Sequence, residues 1–240
     1  MMPRDRLIVA LDFPTIAEAR ALTQKLGPTA TFYKVGLELA MSGGLDLARE
    51  LVGAGKQVFL DMKLLDIENT VERATRNAAA TGATFLTVHA HDAKTLRAAS
   101  AGKAGTQLKI LGVTLLTNLD AADVRQQGID ASPDDLVARR AHLARETGCD
   151  GIVTSGQEAA RVRAVVGPDL AVVTPGIRLP GGSAGDQARI ATPAAAIAAG
   201  ADYLVVGRPI TGAADPADAV ERFLQAIEQA LSVRTAGQAR

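Results

Sequence analysis

The chain has 240 residues, with 26 Lys plus Arg set against 26 Asp plus Glu, and it is 48% hydrophobic but only 3% aromatic. This suits one large α/β domain whose core is Ala, Val, Leu and Ile, and the even charge balance excludes the basic footprint of a nucleic-acid binder or of a protein held on an anionic membrane. No apolar stretch approaches the roughly 20 residues of a membrane span, the opening Met-Met-Pro-Arg-Asp-Arg carries no signal-peptide apolar region, and a cytoplasmic location is expected.

Short β-branched runs recur along the chain, each followed by a helical pattern. The first strand, residues 7–11, ends on Asp12. Thr15-Ile16-Ala17-Glu18 is a capping box for a helix over 15–26, stopped by Gly27. A second strand, 32–35, carries Lys34 and precedes a helix over 45–54. The third, 58–60, runs into Asp61-Met62-Lys63-Leu64-Leu65-Asp66, ahead of a helix over 67–81. The fourth, 85–88, ends at His89 before a helix over 93–101. The fifth, 109–113, leads to Thr114 and Thr117. The long interval 117–130 has room for an extra loop or short helix, and Ser132-Pro133 then opens a helix over 134–147.

The sixth strand, 151–153, leads to Thr154, Ser155 and a helix over 157–166. The seventh, 171–173, runs into Thr174-Pro175-Gly176-Ile177-Arg178, and Thr192-Pro193 opens a helix over 193–199. The eighth, 203–206, runs into Gly207-Arg208-Pro209 before a final helix over 216–231. Residues 233–240 are polar, lack periodicity and are expected to fray. Most strands are uniformly apolar, as strands buried on both faces are. Eight βα units without a linker predict a single-domain α/β fold, the (β/α)₈ TIM barrel, over residues 1–232.

Such a barrel keeps its chemistry at the C-terminal ends of its strands. Nearly every predicted strand delivers a polar or charged residue to that rim. On a regular strand Asp61 and Lys63 project to the same side. The choice there lies between a surface ion pair, worth little, and a functional cluster. The loops after strands seven and eight supply Gly176, Arg178, Gly207 and Arg208, the parts of a phosphate site. There is no P-loop, dinucleotide fingerprint, clustered Cys/His metal spacing or hydrolase triad. His89 and His91 are read as hydrogen-bonding or structural rather than as metal ligands. His142, among Arg139, Arg140 and Arg145, is read as solvated, and Cys149, the single cysteine, as a small semi-buried apolar residue.

Asp-x-Lys-x-x-Asp-Ile at Asp61, Lys63, Asp66 and Ile67 resembles the signature of the orotidine 5′-phosphate decarboxylase family. The resemblance extends through Ala-Leu-Asp at 10–12, Tyr-Lys-Val-Gly at 33–36, Asn-Thr-Val at 69–71, Thr-Pro-Gly-Ile-Arg at 174–178 and Val-Gly-Arg-Pro-Ile at 206–210. It implies a homodimer without cofactor or metal that converts orotidine 5′-phosphate to UMP and CO₂. By position it implies Lys63 as proton donor and Asp61 as its carboxylate neighbour. Asp66, the third catalytic residue of an Asp-Lys-Asp network, would enter the partner's site together with Ile67 and Thr70. Asp12 and Lys34 would bind ribose, Thr117 and Gln187 would contact pyrimidine or phosphate, and Arg178, Gly207 and Arg208 would hold the phosphate. Where many bacterial members read His-Asp-Ile-Pro-Asn-Thr, this chain has Leu65-Asp66-Ile67-Glu68-Asn69-Thr70. The rival readings are a Mg²⁺-dependent sugar-phosphate decarboxylase or aldolase of the same barrel group, which uses its metal to stabilise an enediolate, and a non-catalytic nucleotide-binding barrel.

Overall fold

A computed structural model describes residues 2–181 and 190–238 of the chain. In chain order its elements are α1 (Pro3–Arg6), β1 (Leu7–Ala10), α2 (Ile16–Leu26), β2 (Phe32–Gly36), α3 (Leu37–Leu39), a kinked turn (Ala40–Gly44), α4 (Leu45–Gly53), β3 (Gln57–Leu64), α5 (Glu68–Ala79), β4 (Phe85–His89), α6 (Ala93–Gly102) and β5 (Lys109–Val113). There follow α7 (Ala121–Gln126), α8 (Pro133–Glu146), β6 (Gly151–Val153), α9 (Ala159–Val166), β7 (Ala171–Thr174), α10 (Pro193–Ala198), β8 (Tyr203–Val206), α11 (Arg208–Thr211) and α12 (Pro216–Gln238). Among the described residues, eight parallel strands close in sequence order, β8 pairing back onto β1. The predicted barrel is therefore borne out.

Local chemistry sets the helix starts. Thr15 Oγ1 accepts from the Glu18 backbone N–H at 3.3 Å and donates to the Glu18 carboxylate at 2.8 Å. Ser132 and Thr192 cap α8 and α10, accepting from the backbone N–H groups of Asp135 and Ala195. Each such cap is worth about 1 kcal/mol. Asp120 caps α7 through the Ala122 and Asp123 N–H groups, so the long interval after β5, open to a loop or a short helix, holds a short helix. The last helix is longer than its pattern implies: α12 continues to Gln238, through a segment read as a fraying tail.

The barrel encloses one apolar cluster and its outer faces build another. Ile8, Ala10, Phe32, Phe59, Phe85, Leu111, Val173 and Val205 pack inside the strands. Phe85 is central: its ring centroid lies 5.3 Å from Phe32, 6.0 Å from Phe59 and 5.1 Å from Tyr203. Four of the chain's few aromatics therefore plug the lower barrel in tilted and edge-on contacts. Side chains of opposite parity, such as Val9, Val35, Leu60 and Ile110, pack outward against the helices. Each strand thus has an aromatic or aliphatic layer below and a position of the same parity above it.

Candidate active site

The polar residues of the rim continue those inward faces. Two residues beyond Ala10, Phe32, Phe59 and Phe85 stand Asp12, Lys34, Asp61 and Thr87, where the period of a strand returns them to the barrel axis. Lys34 Nζ donates to Asp12 Oδ1 at 2.8 Å and lies 3.5 Å from Asp61 Oδ2. Lys63 Nζ lies 2.8 Å from Asp61 Oδ1. The four charges alternate in sign along the line Asp12, Lys34, Asp61, Lys63.

Lys34 is only 8% exposed, so its charge depends on its neighbours. Burial pulls the ammonium down, but Asp61 and Asp12 outweigh it and hold Lys34 above its ordinary value. Burial likewise pushes the Asp61 carboxyl up; Lys34, Lys63 and the hydrogen bonds from Lys63 and Thr87 overcome it and hold Asp61 below its ordinary value. Gly36 makes room for this arrangement. A Cβ there would stand 2.9 Å from Lys34 Nζ and 3.0 Å from Asp12 Oδ1.

The strand carrying Asp61 and Lys63 is not regular. Leu60 pairs with Leu86 and Leu64 with Val88, so Asp61, Met62 and Lys63 together oppose Thr87 alone. Lys63 takes φ +49°, the one positive φ outside glycine among the described residues. That conformation costs about 1–2 kcal/mol for a residue with a Cβ. The alternation expected of a regular strand is interrupted here, and Asp61 and Lys63 meet across a bulge instead.

The loops after β7 and β8 complete the rim. Ile177 bridges to Ala191, with Arg178 N–H donating to the Ala191 carbonyl at 2.9 Å and Ala191 N–H to the Gly176 carbonyl at 3.3 Å. This pins Arg178, whose Nη1 donates to the Ile177 carbonyl at 2.9 Å. Burial, then the nearby Arg208, pull the Arg178 guanidinium below its ordinary value. Two guanidinium groups near enough to repel each other favour a dianion between them.

A cavity of about 480 Å³ opens at this rim, a size suited to a small-molecule ligand. It brings together Asp12, Lys34, Asp61, Lys63, Thr117, Arg178, Gly207 and Arg208, with apolar lining from Val113, Val153 and Val205. Asp66, Ile67 and Thr70 do not line it. They belong to a run, residues 65–70, in which every residue is exposed. Asp66 Oδ1 accepts from its neighbour Ile67 N–H at 2.6 Å, and Thr70 lies in the first turn of α5. Gln187 lies outside the described residues.

His89 and His91 stack with ring centroids 4.6 Å apart. Burial, then His91, Lys63 and Arg140, pull His89 down to about 4, so its imidazole is neutral at pH 7. Several residues at the site escape the sequence reading: Leu115, Leu116 and Thr211 line the cavity unannounced, and two others bear on its charges. Glu38, beyond the end of β2, lines the cavity, and nothing in its exposed surroundings signals it. Thr87 is the other, and its signal was available: it is a lone hydroxyl in the apolar run of β4, in phase with Phe85.

A family model described as "Orotidine 5'-phosphate decarboxylase / HUMPS family" matches residues 5–223. A protein of Bradyrhizobium sp. named orotidine 5′-phosphate decarboxylase is 55% identical over 231 residues, covering 96% of this chain and 95% of its own length. Another so named, from Methylorubrum extorquens, is 55% identical over 228 residues, covering 95% and 97%. The crystal structure of orotidine 5′-phosphate decarboxylase from Lactobacillus acidophilus superposes with a TM-score of 0.83 at 36% identity, covering 92% of this chain and 98% of that one. Taken with the closed barrel and its charged, guanidinium-edged mouth, these matches mean that the chain belongs to the orotidine 5′-phosphate decarboxylase / HUMPS family.

Proposed function

We propose that this chain decarboxylates orotidine 5′-phosphate to UMP and CO₂, with Lys63 as the proton donor. The observation that carries the reading is the alternating line of Asp12, Lys34, Asp61 and Lys63 in the same cavity as Arg178 and Arg208. One set of groups suits a carbanion and the other a phosphate.

The chemistry runs as follows. Arg178, Gly207 and Arg208 hold the phosphate, Asp12 and Lys34 bind the ribose, and Thr117 and Gln187 contact the pyrimidine or the phosphate. The bond between C6 and the carboxylate carbon breaks, CO₂ leaves, and the electron pair stays on C6. The Lys63 ammonium stabilises that charge and then delivers a proton to C6, which gives UMP. Asp61 holds the ammonium in position and faces the departing carboxylate with like charge. Binding energy from the phosphate, remote from C6, orders the site. The barrier to be removed is near the upper end of the roughly 8–23 kcal/mol that enzymes supply, so no single contact accounts for it. The step balances with no added cofactor or metal.

The working unit in this reading is a cytoplasmic homodimer in which Asp66, Ile67 and Thr70 enter the partner's cavity. Two features support it. Ile67 is 73% exposed although apolar, and Leu65 beside it is also exposed. Beyond the end of β2, the strand next to β3, Leu37, Met41 and Leu45 are exposed too, Met41 at 85%. Large apolar side chains open to water around a catalytic mouth call for a covering surface. The deciding assay follows the absorbance of orotidine 5′-phosphate on adding the protein, with and without a metal chelator. Unchanged absorbance sinks the assignment, and turnover abolished by the chelator sinks the metal-free mechanism.

A further inference from the structure

Thr87 joins the two ends of the Lys63 residue to a single carboxylate oxygen. Its hydroxyl is fully buried. Thr87 Oγ1 accepts the Lys63 backbone N–H at 2.9 Å and donates to Asp61 Oδ1 at 2.9 Å. The Lys63 ammonium reaches that same Asp61 Oδ1 at 2.8 Å. The three contacts form a closed ring: Lys63 main chain to Thr87 hydroxyl, hydroxyl to Asp61, and Asp61 back to the Lys63 side chain.

The ring falls where the sheet fails to supply partners. Three residues of β3 oppose one of β4 between Leu60 and Leu64, so the ladder cannot satisfy every backbone group of the bulge. Lys63, at φ +49°, turns its N–H to a side chain instead. A hydroxyl suits this position because it accepts and donates at once. Its proton has one use, since an ionised carboxylate can only accept. A valine of nearly the same shape does neither, and leaves the part-buried Lys63 N–H without its acceptor.

Resting on the decarboxylase reading above, we infer that Thr87 is a positioning residue for the proton transfer: its hydroxyl locks the bulge that aims the Lys63 ammonium and orients the carboxylate that holds it. Thr87 does not line the substrate cavity, so it acts through Lys63 and Asp61 rather than on the substrate. Its loss should therefore appear in kcat and leave the phosphate-driven binding of substrate and product in place.

The test compares Thr87→Val and Thr87→Ser with the parent enzyme, reading kcat and KM for orotidine 5′-phosphate and UMP affinity. A misplacement of about 1 Å can cost 10²-fold in rate, so Thr87→Val is expected to lose about 100-fold in kcat, with KM and UMP affinity within about threefold of the parent. Thr87→Ser should recover most of the loss. The acid limb of the Thr87→Val kcat profile should also move to higher pH, because Asp61 loses a donor; a general loosening of the barrel gives no such displacement. Should Thr87→Val not fold, Thr87→Ser against Thr87→Ala makes the same comparison, the two differing by the hydroxyl alone. Equal kcat in that pair, or a Thr87→Val kcat within about threefold of the parent, overturns the inference. A parent protein that does not consume orotidine 5′-phosphate overturns the decarboxylase reading instead, so the two failures are distinguishable.

Discussion

Replacing Asp61 by Asn keeps its shape and removes its charge. Asp12, Lys34, Asp61 and Lys63 form a set of two carboxylates and two ammoniums, and Asp61 alone contacts both cations. With Asn the set carries a net positive charge, in a mouth that already holds Arg178 and Arg208. At an effective dielectric of about 20, attractions across the 3.5 Å and 2.8 Å separations amount to about 5 and 6 kcal/mol before desolvation. Burying the ions takes back a large part, and breaking a buried pair by removing one partner typically loses about 3–5 kcal/mol. At about 2–4 °C per kcal/mol for a domain of this size, the melting temperature of Asp61→Asn should fall by about 10 °C. The pH dependence follows from the direction of the shift. Asp61 is held below its ordinary 3.8, so its contribution is complete above that value and is lost only as pH falls through the lowered one. Differential scanning calorimetry of both proteins should therefore find a constant gap from about pH 8 to about pH 5, closing in stronger acid. A drop of less than about 3 °C refutes the electrostatic account, and so does a gap that closes before pH falls to about 4.

Lys63→Ala should reduce turnover at least about 10³-fold, within the range general acid catalysis contributes, while UMP binding by calorimetry stays close to normal; substantial residual turnover removes Lys63 from its role. If Asp66 acts in trans, mixing inactive Lys63→Ala and Asp66→Ala subunits restores activity in heterodimers, and sedimentation of Ile67→Glu should detect monomers; verified heterodimers without activity argue for a site made within one chain. Gly36→Ala puts a methyl group against the Lys34 ammonium and the Asp12 carboxylate. A fall in kcat/KM of about tenfold or more with little change in melting temperature is expected, and unchanged kinetics contradict the close fit. His89, pulled down to about 4 from 6.5, makes stability complete above 6.5 and progressively lost as pH falls toward 4, because the unfolded chain takes up the proton first. Melting curves of His89→Gln should therefore decline less between those two values than those of the parent, and parallel declines exclude the assignment.

The barrel was legible because its signals are local. Strands buried on both faces read as apolar runs, and Ser132-Pro133 and Thr192-Pro193 mark helix starts through a hydroxyl that caps a backbone N–H. The rim residues followed from knowing which end of a strand carries chemistry. Other features have no local signature. Whether Asp66 belongs to its own cavity or a neighbour's depends on a surface that spacing along one chain does not describe. The helical continuation of α12 past Leu231 defeats a reading based on apolar periodicity, since its residues beyond that point are mostly polar.

The hexapeptide from Asp61 to Asp66 illustrates how a right expectation can rest on the wrong geometry. Strand alternation predicts that residues two apart share a face, and Asp61 and Lys63 do meet, at 2.8 Å. Yet the strand between them is bulged, and Lys63 is left-handed. A regular strand would send both side chains out in parallel from backbone positions about 6.6 Å apart, two residues at roughly 3.3 Å each. The bulge instead turns Lys63 back toward the Asp61 carboxylate. The conformational strain is held by a threonine on the next strand, a contact between residues 24 apart in the chain. The pairing of charges was therefore visible in the sequence, but the bulge and the cross-strand hydroxyl that accompany it are brought together only by tertiary structure.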